Sequence, residues 1–367
     1  MSARLLVANL DGEIELARAH TPGPHPDLSA AASRLVGPAA SHMALLARPG
    51  DRLWLPAPAP PEAMCAAARE RAIAVETGRL GDVAPARELC AWAETGAVSA
   101  LRARAAADRD APARDAAADR GAAADRDAAA LATAADWRAA LWLLRPPPDL
   151  AGRVNHRGFA LALALDRGWA LPGARAVRDV AELEQHLAGG GAGAGLDRAW
   201  LLKAPLSAAG RERHRGGALG RGERVRIERL LGRFGELVFE PWVDRVADLA
   251  CAGLVHPGGV RLFAPHRLDN DPRGVFRAAV IDDAGAGGPA HQHRDAVCEA
   301  AAASGEALAA AGYRGPFSVD AYLWRDRLGA LRLQRLSEIN ARLSFGLLAR
   351  IAAEDAGAPS GPFELRP

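Results

Sequence analysis

Lysine is almost missing from this chain. Of 46 basic residues only Lys203 is a lysine, and the rest are arginine. A coding bias towards Arg, Ala and Gly accounts for the general absence but not for the one lysine that stays. Its compact ammonium is something arginine's flat fork cannot copy. Cysteine is scarce as well. Cys65, Cys90, Cys251 and Cys298 are scattered with no CxxC pair, which argues against a disulfide framework or zinc site and for buried thiols in a reducing cytoplasm. No window approaches the roughly 20 apolar residues of a membrane span. The N-terminal Met1–Asn9 has too short an apolar run for a signal peptide. The expectation is a cytoplasmic protein with no membrane partner. A formal net charge of +2 gives no general pull towards nucleic acid. Three motifs are also missing. Asn9–Gly12, after the first apolar run, lacks Gly-x-Gly-x-x-Gly, the sole lysine is followed by Ala204 rather than Ser or Thr, and Gly-x-Ser-x-Gly is absent. These absences argue against a dinucleotide fingerprint, a Walker loop and a nucleophile-elbow hydrolase.

What is present is globular. The 367 residues are half apolar, with charges of both signs, enough for two or three domains and a substantial core. Short apolar runs at Leu5–Ala8, Met43–Ala47, Leu53–Leu55 and Ile73–Val75 read as strands, with a helix at Glu62–Arg71. Such alternation argues for a small parallel α/β sheet. Over Arg102–Asp136 the chain is nearly all Ala, Asp and Arg, and Ala-Ala-Ala-Asp-Arg recurs from Ala105, Ala116 and Ala122. This low-complexity insert reads as a solvated helix or spacer. Arg145-Pro-Pro-Pro148 marks a domain boundary. Helices are expected at Phe159–Arg167 and Val180–Leu187, a short strand at Ala170–Leu171, and a hinge at Gly189–Gly195.

Two stretches carry chemistry. The first is an apolar strand ending in Lys203, followed by a basic loop with Gly210, Gly216, Gly217, Gly220 and Gly222. Backbone N–H groups and a point charge in that order suit a polyphosphate. His214, with Arg211, Arg213 and Arg215, makes this loop either a basic flap over phosphates or a set of solvated side chains. A helix at Arg226–Phe234 and strands at Leu237–Val243, Leu249–Val255, Val260–Ala264 and Val275–Ile281 follow, then a helix at His293–Ala311. His266 and Arg267 read as a solvated strand end, and His291 and His293 as polar residues at a helix start.

The second stretch is a hairpin pattern, Pro316–Trp324 and Arg332–Asn340, turning at Arg325–Ala330. On a strand Glu338 and Asn340 share a face, and pairing about Gly329 brings Asp320 roughly opposite Glu338. Two carboxylates and an amide oxygen suit Mg²⁺, a hard ion. Arg342 lies just beyond and could neutralise a transferring phosphoryl group. Each charge interrupts an apolar strand, and asparagine occurs only four times, at Asn9, Asn155, Asn270 and Asn340.

A lysine strand, a glycine loop, an acidic hinge and a closing Glu-Ile-Asn-Ala-Arg, in that order, resemble the ATP-grasp superfamily. That superfamily includes D-alanine–D-alanine ligase, glutathione synthetase and biotin carboxylase. The resemblance covers roughly residues 150–350 and implies an α/β fold of two α+β subdomains preceded by a small Rossmann-like domain. The expected division is 1–148, with the insert at 102–136, then 149–243 and 244–367. By resemblance Lys203 contacts the ATP phosphates, Arg157 stands in for an earlier family lysine, and Gly210–Gly222, including Gly216 and Gly217, form the flap. Glu240 accepts from the adenine amino group, Trp242 and Val243 line the hinge, and Asp248 (chosen over Asp244) holds the ribose. Asp320, Glu338 and Asn340 hold one or two Mg²⁺, or Mn²⁺, and Arg342 joins Lys203 as a catalytic residue. The implied activity is an ADP-forming ligase joining a carboxylate to an amine or thiol through an acyl phosphate. Its partners are small-molecule or peptide substrates, and a homodimer fits the pattern. The alternatives are a non-catalytic ATP-binding regulator and an ATP-grasp phosphotransferase.

Overall fold

A computed structural model describes residues 3–28, 30–57, 62–107, 137–190, 199–207, 212–271, 276–282, 289–357 and 362–366. The insert beyond Ala107, the hinge glycines after Gly190 and flap residues 208–211, Gly210 included, lie outside the described residues. Mixed α/β architecture is present as expected, built on three sheets.

The first sheet is parallel. It contains β1 (Leu5–Val7), β2 (Arg52–Leu55), β3 (Ala74–Thr77) and β4 (Leu89–Ala91) in the order β3-β2-β1-β4. The run at Met43–Ala47, expected as a strand, is a 3₁₀ turn at His42–Leu46. A short apolar run carries no period of its own, and here Met43 and Leu46 are buried while Ala44 and Leu45 are only partly covered. The second sheet is antiparallel, with β5 (Arg175–Val177), β6 (Trp200–Lys203), β7 (Arg213–Gly216) and β8 (Leu237–Pro241) in the order β5-β8-β6-β7. The strand expected at Ala170–Leu171 forms instead at Arg175–Val177, and Leu171 and Ala174 pack into a small cluster with Val243, Tyr322 and Trp324.

The third sheet has seven strands. They are β9 (Asp244–His256), β10 (Gly259–Leu262), β11 (His266–Asn270), β12 (Phe276–Ile281), β13 (Gly315–Arg325), β14 (Leu331–Asn340) and β15 (Phe363–Leu365). β13 runs along one edge of the long β9, while β10 and β11 share the other. Helix Arg294–Ala310 covers the face carrying Leu249, Cys251, Val319 and Ile339. The opposite face carries the polar residues described below. Val319 and Ile339 are wholly or almost wholly buried, so a one-residue slip of this hairpin would turn them out of the core under helix Arg294–Ala310 and put its carboxylates there. The apolar alternation therefore sets which way the charges point. One core joins the first and third sheets, with Leu6, Leu53 and Trp92 packing with Leu254, Leu343 and Leu347.

Candidate nucleotide and metal site

The second sheet alternates strictly across its three pairing strands. Trp200, Leu202, Phe239 and His214 point into the core with Ile227 and Leu231. Lys203, Arg213, Arg215, Val238 and Glu240 therefore share the other face. Lys203 is opposite both Arg213 and Val238, and Glu240 lies one diagonal step away. The Lys203 Nζ sits 2.6 Å from Glu240 Oε2. Burial pushes the ammonium down to about 8, against the pull of Glu240.

The described part of the glycine loop forms a strand and the start of a helix. Gly216 closes strand β7 on the core face, where an added Cβ would lie 2.1 Å from the Trp200 ring. The indole Nε1 of Trp200 donates to Gly217 O at 2.9 Å. Gly220 caps helix Arg221–Phe234, and Gly222 lies inside that helix. His214 is only 4% exposed and bonds Glu223, so it takes no part in the polar face. Arg215 stacks over the Trp242 ring at 4.0 Å, tying β7 to the segment after β8. Val243 is buried.

On the third sheet Asp320 pairs directly with Glu338, and Asn340 pairs with Ser318 one step along the same face. Asn340 Nδ2 donates to Asp320 Oδ2 at 3.2 Å. Burial and the neighbouring Glu338 push the Asp320 carboxyl up to about 7. Burial would raise Glu338 too, but Arg157, Arg213, Lys203 and Arg342 together hold it below the usual carboxylate range. Asp248 lies five residues into β9, not at its start. It receives Asn270 Nδ2 at 2.9 Å and Arg245 Nη1 at 3.2 Å. His266, expected at a solvated end, is buried.

Arg157 joins the two sheets. It opens helix Arg157–Asp166, whose cap is the His156 side chain accepting from Gly158 N–H. Its guanidinium donates to Ala204 O, to Ser207 Oγ and O at 2.9 Å each, and to Glu338 Oε1 at 2.9 Å. One side chain therefore bridges the chain just after Lys203 to the carboxylate hairpin.

Arg342 reaches a partner that sequence reasoning did not single out. Its Nε donates to Glu13 Oε1 at 2.6 Å and its Nη2 to Asn340 Oδ1 at 3.0 Å. Glu13 lies just beyond the C-terminal end of β1, between whose neighbours β2 and β4 the first sheet changes direction. In open parallel sheets that crevice is where ligands bind. Asn9 locks the crevice by exchanging two hydrogen bonds with Ala93, at 2.9 and 3.1 Å. Leu343 N–H donates to Trp92 O at 3.1 Å, and the second oxygen of Glu13 is buried without a partner among the described residues. The only local hint of Glu13 was its place soon after the first strand.

A cavity of about 10 Å³ lies between Val238, Glu240, Arg157 and Leu336, whereas ligand pockets usually measure about 300–1,000 Å³. The large cleft, about 1220 Å³, is elsewhere, along Phe159, Leu165, Arg175 and Glu236. Its Arg175 and Arg178 are already paired with Glu182 and Glu236, so size alone does not make it the site. The concentration of opposed charge does mark the Lys203 face. Among the described residues no cluster of three or more His, Cys, Asp or Glu side chains is placed to hold a metal. The hairpin offers two carboxylates and an amide.

The chain has a mixed α/β architecture of three sheets, the fold class expected from its sequence. No family model and no curated protein matches the sequence. Solved structures similar to it include N5-carboxyaminoimidazole synthetase from Staphylococcus aureus complexed with ADP, 9% identical over 94% of this chain and 71% of that one, with a TM-score of 0.48. The N5-carboxyaminoimidazole ribonucleotide synthetase from Thermus thermophilus is 15% identical over 94% and 72%, TM-score 0.48. The biotin carboxylase domain of Hydrogenobacter thermophilus 2-oxoglutarate carboxylase, crystallised with MgADP, ADP and bicarbonate, is 16% identical over 94% and 65%, TM-score 0.48. At TM-scores below 0.5 none of these assigns a function to this chain. Among the described residues no helix is long and apolar enough to cross a membrane.

Proposed function

We propose that the protein is an ATP- and Mg²⁺-dependent ligase that joins a carboxylate to an amine or thiol, releasing ADP and phosphate. The observation that carries this reading is the convergence on Arg157. It connects the Lys203–Glu240 face to the Asp320–Glu338 pair, so groups suited to phosphate and to a divalent cation face one another.

Asp320 fits a metal ion because burial and Glu338 both disfavour its charge, and among the described residues it forms no ion pair. Asp320, Glu338 and Asn340 would hold one or two Mg²⁺, which would shield phosphate charge when bound. Lys203, Arg157 and the flap backbone around Gly210, Gly216 and Gly217 would bind the polyphosphate. Glu240, Trp242 and Val243 would line the base, and Asp248 the ribose. Arg342, oriented by Glu13, would face the phosphoryl group as it passes to the substrate carboxylate, with the acceptor in the crevice beyond β1 and β4. The protein's work is positioning and charge neutralisation, with the flap keeping water from an acyl phosphate. In this reading residues 1–148 choose the substrates, 149–243 carry the flap, and 244–367 hold the metal.

The test is product analysis with ATP, Mg²⁺ and a panel of carboxylates and amines. ADP and phosphate with a new amide or thioester support the proposal, and both should vanish in Lys203→Ala and Glu338→Ala. AMP and pyrophosphate would remove the acyl-phosphate route, and a stable phosphorylated product would make the protein a phosphotransferase. Normal ATP turnover in both folded variants would sink the site assignment.

A further inference from the structure

The cations of the polar face do not all have partners. Lys203 pairs with Glu240, Arg157 with Glu338, Arg342 with Glu13 and Arg245 with Asp248. Two arginines of β7 have no ion pair among the described residues: Arg215, which is exposed and lies over the Trp242 ring, and Arg213, which is half-buried. Arg213 lies directly opposite Lys203 on β7, on the same face. Among the described residues the Arg213 Nε is buried without a hydrogen-bond partner, and no described carboxylate comes within the 4.0 Å of an ion pair. Glu338 and Glu240 attract it from further off, while Arg157 and Arg245 repel it. At the other end of the face Asp320 forms no ion pair among the described residues and accepts a hydrogen bond from Asn340.

An uncompensated charge away from water is costly unless something neutralises it. Here two such charges of opposite sign stand on facing sheets, the cation on the flap side and the carboxylate on the hairpin side. That pattern is complementary to a polyphosphate carrying a divalent cation, with its oxygens towards β7 and its metal towards β13. A neutral ligand, or a monoanion already matched by Lys203, would leave Arg213 unpaired.

We infer that Arg213 is a phosphate-binding residue, whose guanidinium forks onto a di- or triphosphate and so selects polyphosphate over monophosphate nucleotides. This rests on the nucleotide reading above and adds a residue and a selectivity to it. Arginine's planar donors favour bidentate contact with phosphate oxygens. β7 pairs with β6 along its whole length, so Arg213 is held beside Lys203.

The experiment is calorimetric titration of ADP, AMP and adenosine, with Mg²⁺, into wild type, Arg213→Gln, Arg213→Lys, Lys203→Met and the exposed-charge control Arg229→Gln. Circular dichroism confirms that each is folded. Arg213→Gln should weaken ADP about tenfold to a hundredfold and change adenosine less than twofold. Arg213→Lys should recover part of the loss, and Arg229→Gln should bind as wild type. If ADP binds Arg213→Gln normally while Lys203→Met has lost it, the role of Arg213 is refuted and the nucleotide site stands. Equal losses for ADP and adenosine would show that Arg213 only supports the flap, which also refutes it. If wild type binds no nucleotide, the underlying reading fails with it.

Discussion

The Nη2 of Arg157 lies 2.9 Å from Oε1 of Glu338, a contact across 181 positions of sequence that holds two sheets in register. The Arg157 side chain is 4% exposed and that of Glu338 18% exposed. Removing one partner of a buried pair leaves the other charge uncompensated, which costs about 3–5 kcal/mol. Arg157→Ala should lower the thermal midpoint by several degrees in a melting experiment. Arg157→Lys should recover only part of it, because a single ammonium cannot reach Ala204, Ser207 and Glu338 together. A melting curve for Arg157→Ala that overlays wild type would show the bridge to be idle.

Lys203 gives a pH dependence with a definite sign. Its folded value is about 8 and its ordinary value 10.5, so between these the unfolded chain binds more protons than the folded one. Stability contributed by this group therefore rises with pH across that window. Binding runs the other way, since a neutral amine no longer attracts phosphate. ADP affinity of wild type should fall as pH climbs through about 8, and Lys203→Met should show low affinity with no such slope. A flat wild-type profile from pH 7 to 10 would contradict the assignment.

Metal binding to the hairpin should appear without any turnover. A ligand that binds only the folded state raises its melting temperature, so millimolar Mg²⁺ with ADP should stabilise wild type. Glu338→Gln and Asp320→Asn should lose the Mg²⁺-dependent part of that shift. An unchanged shift in both would place the ion elsewhere.

Gly216 and Gly217 are adjacent but unequal. A Cβ on Gly216 would meet the Trp200 ring at 2.1 Å, whereas one on Gly217 meets nothing within 4 Å. Forcing atoms into a packed core costs about 1–3 kcal/mol. Gly216→Ala should therefore destabilise the protein in urea melts by that amount, while Gly217→Ala should stay within about 0.5 kcal/mol of wild type. Equal effects would mean that flap freedom, not packing, keeps both glycines.

Glu13 should separate binding from turnover. Glu13→Ala leaves Arg342 without its carboxylate but touches none of the groups assigned to the nucleotide. ADP affinity should stay within about twofold, and ligation should fall by at least about a hundredfold. A parallel loss of ADP affinity would move Arg342 into the nucleotide site.

Much of the hairpin was legible because strands have a period of two. Glu338 and Asn340 had to share a face, but the register set by the turn at Asp326–Ala330 would put Asp320 opposite Leu336, and a β-bulge between Asp320 and Tyr322 shifts it to Glu338. Lys203 was legible as an oddity of composition. β7 was not, since Arg-His-Arg-Gly has no apolar alternation and is a strand only because β6 supplies its partners. For the same reason His214 and Arg213 looked equivalent in sequence. Pairing turned one into the core beside Trp200 and the other towards Glu338.

The sequence by itself determined the α/β class, the order of parts and which residue types could hold phosphate and metal. Local periodicity and residue chemistry are enough for that. Only tertiary structure decided that Arg157 bridges the two sheets, that Arg342 answers to Glu13 across 329 positions, and that Arg213 has no ion pair among the described residues. Those are contacts between distant segments. They depend on how whole sheets pack and on which charges the packing leaves unmatched.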